Sequence, residues 1–260
     1  MNNVTDDIGA AASIAREARR IVSLVPSLTE AIAATRPETL VAATKWCTHP
    51  AGLDVERVRG TKNPDIRRII ELRPDVVIAN KEENRRKDVE TLRAAGVPVW
   101  VTVTETVPGA IASLGRMFTL ALGWDEPDWL QQTGQLWSAD PPSRMLRVAI
   151  PIWRNPWMVV GRDTFTGDLA ARLGLANVFA AHAERYPHVT IEEITDGRPD
   201  CIVLPDEPYP FSEDDGPDAF PPGQCALVDG RALTWYGPSL LHARDKILGA
   251  LLRSGVVRAP

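Results

Sequence analysis

Asp75-Val-Val-Ile-Ala79, a charged segment over 84–95, and Val97-Pro-Val-Trp-Val-Thr-Val103 follow one another without a break. Two nearly continuous apolar runs flank a polar stretch of helical length. A strand apolar on both faces has to be covered on both faces, as happens in a parallel sheet walled by helices. The same alternation extends outward. Ile21-Val-Ser-Leu-Val25 and Leu40-Val-Ala-Ala43 read as strands. Between them Pro26 stops the first strand, and Ser27 with Glu30 reads as a capping box opening a helix. Pro64 opens a helix through Leu72, with Ile66, Ile69 and Ile70 on one face.

The rhythm breaks after residue 105. Residues 107–123 and 126–138 read as helices with no strand between them, separated by Gly123-Trp124-Asp125 and Pro127. A strand-free stretch of that length is unusual inside a simple α/β sheet. It predicts a helical spine joining two lobes. Beyond Pro141-Pro142 the alternation resumes: strand Leu146–Ile150, helix Thr164–Leu173 with Asp163 as N-cap, and a short helix Ile191–Thr195. Then come strands Cys201–Leu204 and Ala226–Val228 and a closing helix Ser239–Leu252. The loop 205–223, rich in proline and acids, reads as surface. The expected fold class is α/β, two parallel-sheet lobes joined by a rigid helical spine, with a ligand cleft between them. The segments are a helical or flexible N-terminal extension (1–20), an N-terminal lobe (21–105), the spine (106–142) and a C-terminal lobe (143–260).

The chain has 260 residues, 44% hydrophobic and 24% charged, with a net charge of −5. It has no long basic run, which argues against nucleic acid as a partner. Cys47, Cys201 and Cys225 make no disulfide framework, and Cys201, in an apolar strand, reads as a small core residue. No apolar run reaches the length of a membrane span. Residues 1–20 lack a basic start followed by an apolar core, so the sequence as it stands predicts a cytoplasmic chain, or an extracytoplasmic one if a leader precedes it. A monomer is expected.

Three aromatic loops follow strand-like runs: Trp46-Cys47-Thr48-His49-Pro50, Trp153-Arg154-Asn155-Pro156-Trp157 and Trp235-Tyr236-Gly237-Pro238. Rings placed past strand ends, beside Pro, Gly and charges, predict contact with a bulky ligand that is part flat and part charged. Trp100, Trp124, Trp129 and Trp137 fall at core positions. Arg154 and Arg162 offer guanidinium forks for a carboxylate or phosphate, although Arg162 would equally serve Asp163. Lys62 and Lys81 are cleft candidates or merely solvated. Glu82 and Glu83 read as solvent-facing. Glu207 and Tyr209, on the proline-stiffened run after strand 201–204, are further contacts.

Cys47 and His49 would present a thiolate and an imidazole to one metal, with His182 and His188 completing the set. Alternatively His49 is an axial ligand to a cobalt or iron centre held by a chelator, or a loop histidine bonded to backbone. Gly-rich phosphate loops, G-x-S-x-G, H-E-x-x-H and C-x-x-C are all missing. An enzyme reading therefore rests on Cys47, His49, Tyr186, His188 and Glu207 as acid–base groups acting on a natural-product intermediate.

Arg20-Ile-Val-Ser-Leu-Val-Pro-Ser-Leu-Thr-Glu30, Gly60-Thr-Lys-Asn-Pro64, Leu72-Arg-Pro-Asp-Val-Val-Ile-Ala79, Gly161-Arg-Asp163 and Trp235-Tyr236 carry a family likeness. From about residue 20 to residue 255 the chain resembles the class III substrate-binding proteins, also called helical-backbone metal receptors. These deliver cobalamin, ferric siderophores or haem to ABC importers. The cobalamin-binding branch is the most similar. The resemblance implies a solute-binding protein with a corrinoid, haem or ferric chelate as ligand, held between the lobes by rings from both; a cytoplasmic metal or metal-chelate carrier is a further alternative. Trp46, Trp157, Tyr186, Trp235 and Tyr236 match ring positions. Thr61 and Asn80 stand where the cobalamin binder has aromatics, beside Lys62 and Lys81, which makes that wall more polar and basic and makes room for an anionic ligand. The resemblance also implies docking on an importer permease through an acidic residue of each lobe. Glu192 keeps that charge. Arg67, followed by Arg68, reverses it.

Overall fold

The computed structural model describes residues 2–14, 17–143 and 145–256. Its contacts divide the chain into two compact units. Unit 1 comprises Met1–Thr104, Pro108–Gln135 and Tyr236–Pro238; unit 2 comprises Glu105–Val107, Leu136–Trp235 and Ser239–Pro260.

Unit 1 begins with an antiparallel hairpin, β1 (Asn2–Thr5) and β2 (Ala11–Ile14). A helical or loose extension was expected there. The pattern was hidden because one aspartate organises the turn: the buried Asp6 carboxylate accepts from Ile8 N at 3.1 Å and Ala10 N at 2.8 Å. The chain then runs through β3 (Ile21–Ser23), α1 (Pro26–Ala33), β4 (Leu40–Ala43), β5 (Glu56–Arg57), the small pair β6 (Arg59–Gly60) and β7 (Asn63–Pro64), and α2 (Ile66–Leu72). It continues with β8 (Val76–Asn80), α3 (Arg86–Ala94), β9 (Val99–Thr102), α4 (Val107–Arg116) and α5 (Asp128–Leu136). The main sheet is parallel throughout, in the order β5-β4-β3-β8-β9. All five residues of β8 are buried, and its first four, Val76–Ala79, are apolar throughout. Val22, Val77, Val99 and Leu92 share one core, and burying each such side chain is worth about 1.5–3 kcal/mol.

Two details of the helices differ from expectation. α1 has Val25 as N-cap and Pro26 in its first turn, with no side-chain cap. Proline lacks an N–H and has a helix-compatible φ, so it starts the helix and places Ser27 inside the first turn instead of at the cap. The helical stretch after α4 widens into a π turn over Met117–Leu122 and ends at Gly123, φ 68°. Phe118, at its centre, packs against Trp124 and Trp129, with ring centroids 6.0 and 5.9 Å away.

Unit 2 runs β10 (Leu146–Ala149), β11 (Pro151–Trp153), β12 (Met158–Val159), α6 (Phe165–Arg172), β13 (Leu175–Asn177), α7 (Ile191–Asp196), β14 (Cys201–Pro205), β15 (Cys225–Val228), α8 (Gly230–Thr234) and α9 (Leu240–Arg253). Its sheet is also parallel, ordered β13-β10-β14-β15. Thr164, not Asp163, caps α6, its side chain accepting from Gly167 N at 3.1 Å. Asp163 has φ 52° and lies outside the helix. α7 opens with a full capping box, Thr190 with Glu193, a feature worth about 1 kcal/mol. Within the proline-rich loop, Phe211 and Phe220 turn inward and are buried, so the segment expected at the surface supplies part of the unit 2 core.

Candidate functional site

In unit 1, Trp46 follows β4 and its indole is 58% exposed. Lys45 Nζ lies 4.7 Å from the ring centroid, a cation–π contact that orients the ring. Arg57 holds the loop behind it, donating from Nη1 to Cys47 O at 2.9 Å and from Nη2 to Leu53 O at 2.8 Å. Cys47 is fully buried, with Thr29 Oγ1 3.0 Å and Thr44 Oγ1 3.2 Å from Sγ. Burial pushes its thiol up, which works against the thiolate that a metal ligand needs. His49 is half-buried beside Thr48, with Nδ1 and Oγ1 3.2 Å apart. No group of three or more His, Cys, Asp or Glu side chains gathers as a metal site among the described residues.

Asn80, expected at the ligand wall, is hydrogen-bonded within unit 1. It is buried, and its amide ties loops together: Nδ2 donates to Thr102 and Thr104 hydroxyls at 3.2 and 3.1 Å, and Oδ1 accepts from Glu82 N at 2.8 Å. A residue at the end of a central parallel strand has backbone to satisfy before it meets a ligand. Asn84 Nδ2 donates to Thr61 O at 3.0 Å, and Lys62 Nζ to Glu82 O at 2.5 Å. Thr61 and Lys62 therefore sit on a loop pinned to 80–84. Lys81 is exposed and lines a cavity beside the N-terminal hairpin.

Tyr236 is buried, and its hydroxyl donates to Glu83 Oε1 at 2.6 Å. Burial first, then the Glu83 charge, drives its phenol well above the usual range. Glu83 was expected to face solvent; a lone acid in a charged loop carries no local signal of a partner 153 residues away.

Unit 2 presents a ladder of rings. Trp153, 44% exposed, meets Tyr209 edge-on at 5.5 Å. Tyr209 tilts against Phe211 at 4.6 Å, and Phe211 stacks on Trp157 at 5.9 Å with 9° between planes. Phe220 closes the far side of Trp157 at 5.3 Å. Trp157 is buried at the bottom of this ladder and packs in the unit 2 core. Two indoles four residues apart thus have opposite fates, because the turn between β11 and β12 sends one to the core and one to solvent.

Arg154 is also engaged. It pairs with Asp215, and with Asp218 at 2.8 and 2.6 Å, under a guanidinium–Trp157 contact of 5.5 Å. The Arg154 hydrogen bond and Gly216 N hold Asp218 down at about 2. Tyr209 donates to Asp215 at 2.6 Å, and that bond raises its phenol. The fork expected to take a ligand anion is filled by the protein's own acids. Arg162 pairs with Asp163 at 3.4 Å and is exposed.

Tyr186 and His188 lie on a segment that pairs with 157–161: Gly161 N donates to Arg185 O at 2.7 Å and Val159 N to Pro187 O at 3.1 Å. A Cβ at Gly161 would come within 2.3 Å of Glu184 O, so only glycine admits this approach. Tyr186 is half-buried and His188 exposed. His182 Nδ1 accepts from Glu184 N at 3.0 Å. Trp235 is buried, with Arg231 5.7 Å from its ring. It hydrogen-bonds Glu207, whose carboxyl is raised by burial and by Asp206 and Asp229. Glu192 is exposed in the first turn of α7. Arg67 is exposed and paired with Glu71 at 3.0 Å, while Arg68 grips Glu56 and Glu71, so this patch of α2 carries acids as well as arginines.

The two parallel-sheet units and the helical stretch 107–136 are the elements expected from the resemblance to the class III, helical-backbone substrate-binding proteins. No family model matches the chain. By sequence it is similar to the vitamin B12-binding protein of Pectobacterium atrosepticum, 27% identical over 198 residues, covering 72% of this chain and 71% of that one. The vitamin B12-binding protein of Vibrio parahaemolyticus is 27% identical over 194 residues, covering 70% and 69%. By structure it is similar to the periplasmic vitamin B12 binding protein of Vibrio cholerae, TM-score 0.74 at 21% identity over 92% of this chain and 98% of that one. A periplasmic haem-binding protein from a Roseiflexus species gives TM-score 0.75 at 21% identity, over 91% and 98%. The resemblance read from the sequence is upheld.

Proposed function

We propose that this chain is a solute-binding protein for a bulky metal chelate, a corrinoid or a haem-like tetrapyrrole, working with an ABC importer outside the cytoplasm. The observation that carries the reading is the sequence likeness to vitamin B12-binding proteins over about seven-tenths of both chains. The site geometry supports it. Each unit keeps one large indole exposed, Trp46 and Trp153, and backs it with a fixed partner, Lys45 and Tyr209. Exposed indoles are costly, and a flat macrocycle is what such faces cover well. Thr61, Lys62 and His49 supply polar contacts for amide or carboxylate side arms. Glu192 is the proposed importer contact on unit 2. The Arg67 patch, already balanced by Glu71, would meet a permease surface of mixed charge.

Titration with cyanocobalamin, haemin and a ferric hydroxamate siderophore, read by tryptophan fluorescence, tests this. One of the three quenches the signal saturably. Trp46→Ala and Trp153→Ala each weaken that ligand by about tenfold or more, in the range seen when a buried aromatic contact is truncated. Failure of all three ligands to quench, or wild-type affinity in both variants, would remove the proposal.

A further inference from the structure

Unit 1 contains a cavity of about 450 Å³ between the turn of the N-terminal hairpin and the start of α3. That is the size of a small-molecule site. Part of its lining is apolar: Ile8, Ala10, Val89 and Val101. Ile8 is 46% exposed at the tip of a turn that Asp6 holds rigid. Ile8 thus leaves apolar surface open at the edge of the cavity, over the buried Val89 and Val101.

The rest of the lining is polar, with Asn80 and Asn84 beside the charged groups. Lys81, Arg86 and Arg93 contribute to it, and Glu90 is its one acid. Glu90 pairs with Arg86 at 2.6 Å, but both are exposed, and such i,i+4 pairs yield readily to a competing anion. α3 opens here without a side-chain cap, and Asp88 is the acid of its first turn. Arg93 gives Nη2 to Asp6 at 2.6 Å and to Val99 O at 3.1 Å, while its Nε is buried without an acceptor.

From this juxtaposition we propose that the cavity is a second binding site, for a small amphiphilic carboxylate with a linear aliphatic tail. The carboxylate pairs with Lys81 and Arg86, and the tail covers Ile8, Val89 and Val101. The site lies wholly in unit 1 and does not depend on the chelate reading.

Octanoate titrated into methyl-labelled full-length protein tests it by NMR. The methyl signals of Ile8, Val89 and Val101 shift together and saturate. Lys81→Glu and Arg86→Glu each weaken octanoate by about fivefold or more, as expected when one charge-assisted contact reverses sign. Ile8→Asp does the same from the apolar side. Octanamide, with the tail but no charge, and inorganic phosphate, with charge but no tail, both bind more weakly than octanoate. No saturable shift of these methyls by about 10 mM, beyond the weak end of specific binding, overturns the proposal. So do unchanged affinities in the charge variants, and so does phosphate binding as tightly as octanoate.

Discussion

Glu207 shows how one residue's surroundings set its chemistry. It packs against Gly230, where a Cβ would lie 2.6 Å from its Cγ, and Asp206 and Asp229 repel its charge. Its carboxyl is raised, so the folded protein holds a proton that the unfolded chain releases. That contribution to stability is complete below the ordinary glutamate pKa of about 4.3 and is lost as pH rises through the folded value. Glu207→Gln removes the linkage. The variant should melt above the parent near pH 7.5, with the gap closing as pH falls toward 4, as followed by calorimetry. A constant gap across that range would mean the carboxyl is not perturbed. Residue type was enough to nominate Trp46 and Trp153, which remain exposed. It was not enough to separate them from Trp157, since an indole is equally suited to a core, and the side of the chain on which it falls is set by a two-strand turn.

Among the elements, the hairpin β1–β2 matters most because its hold is concentrated in Asp6. That carboxylate accepts from Ile8 N, Ala10 N, Arg93 Nη2 and Val101 N. Asp7 extends the anchorage to Ser113 and Arg116. Removing one partner of a buried ion pair costs about 3–5 kcal/mol. Asp6→Ala should therefore speed amide exchange at Asp7, Ile8 and Ala10 by about a hundredfold or more, while β14 in unit 2 stays protected. Equal protection in parent and variant would show that the hairpin is held by other contacts. The strands of both sheets were legible because a strand covered on both faces has to be apolar throughout. The hairpin was not, because its residues alternate weakly and its stabilising contacts come from residues 93, 101, 113 and 116.

For the whole molecule, 260 residues with a net charge of −5 fold into two units, each with its own parallel sheet and core. Among the described residues no helix is long and apolar enough to cross a membrane. Ligand binding is the measurement that belongs at this scale. A ligand at a hundred times its dissociation constant adds about 2.7 kcal/mol, which for a chain of this length raises Tm by about 5–10 °C. The chelate that quenches tryptophan should produce that rise, and a quenching ligand that leaves Tm unchanged would be binding nonspecifically. By itself the sequence determined the α/β class, both parallel sheets, the strand-free helical stretch and the family likeness, because these follow from hydrophobic periodicity and short local motifs. The tertiary structure alone decided that Cys47, Asn80, Trp157 and Arg154 are engaged inside the protein and that Asp6 anchors a hairpin. Burial and hydrogen-bond partners depend on residues far apart in the chain, and no local pattern encodes which of them will meet.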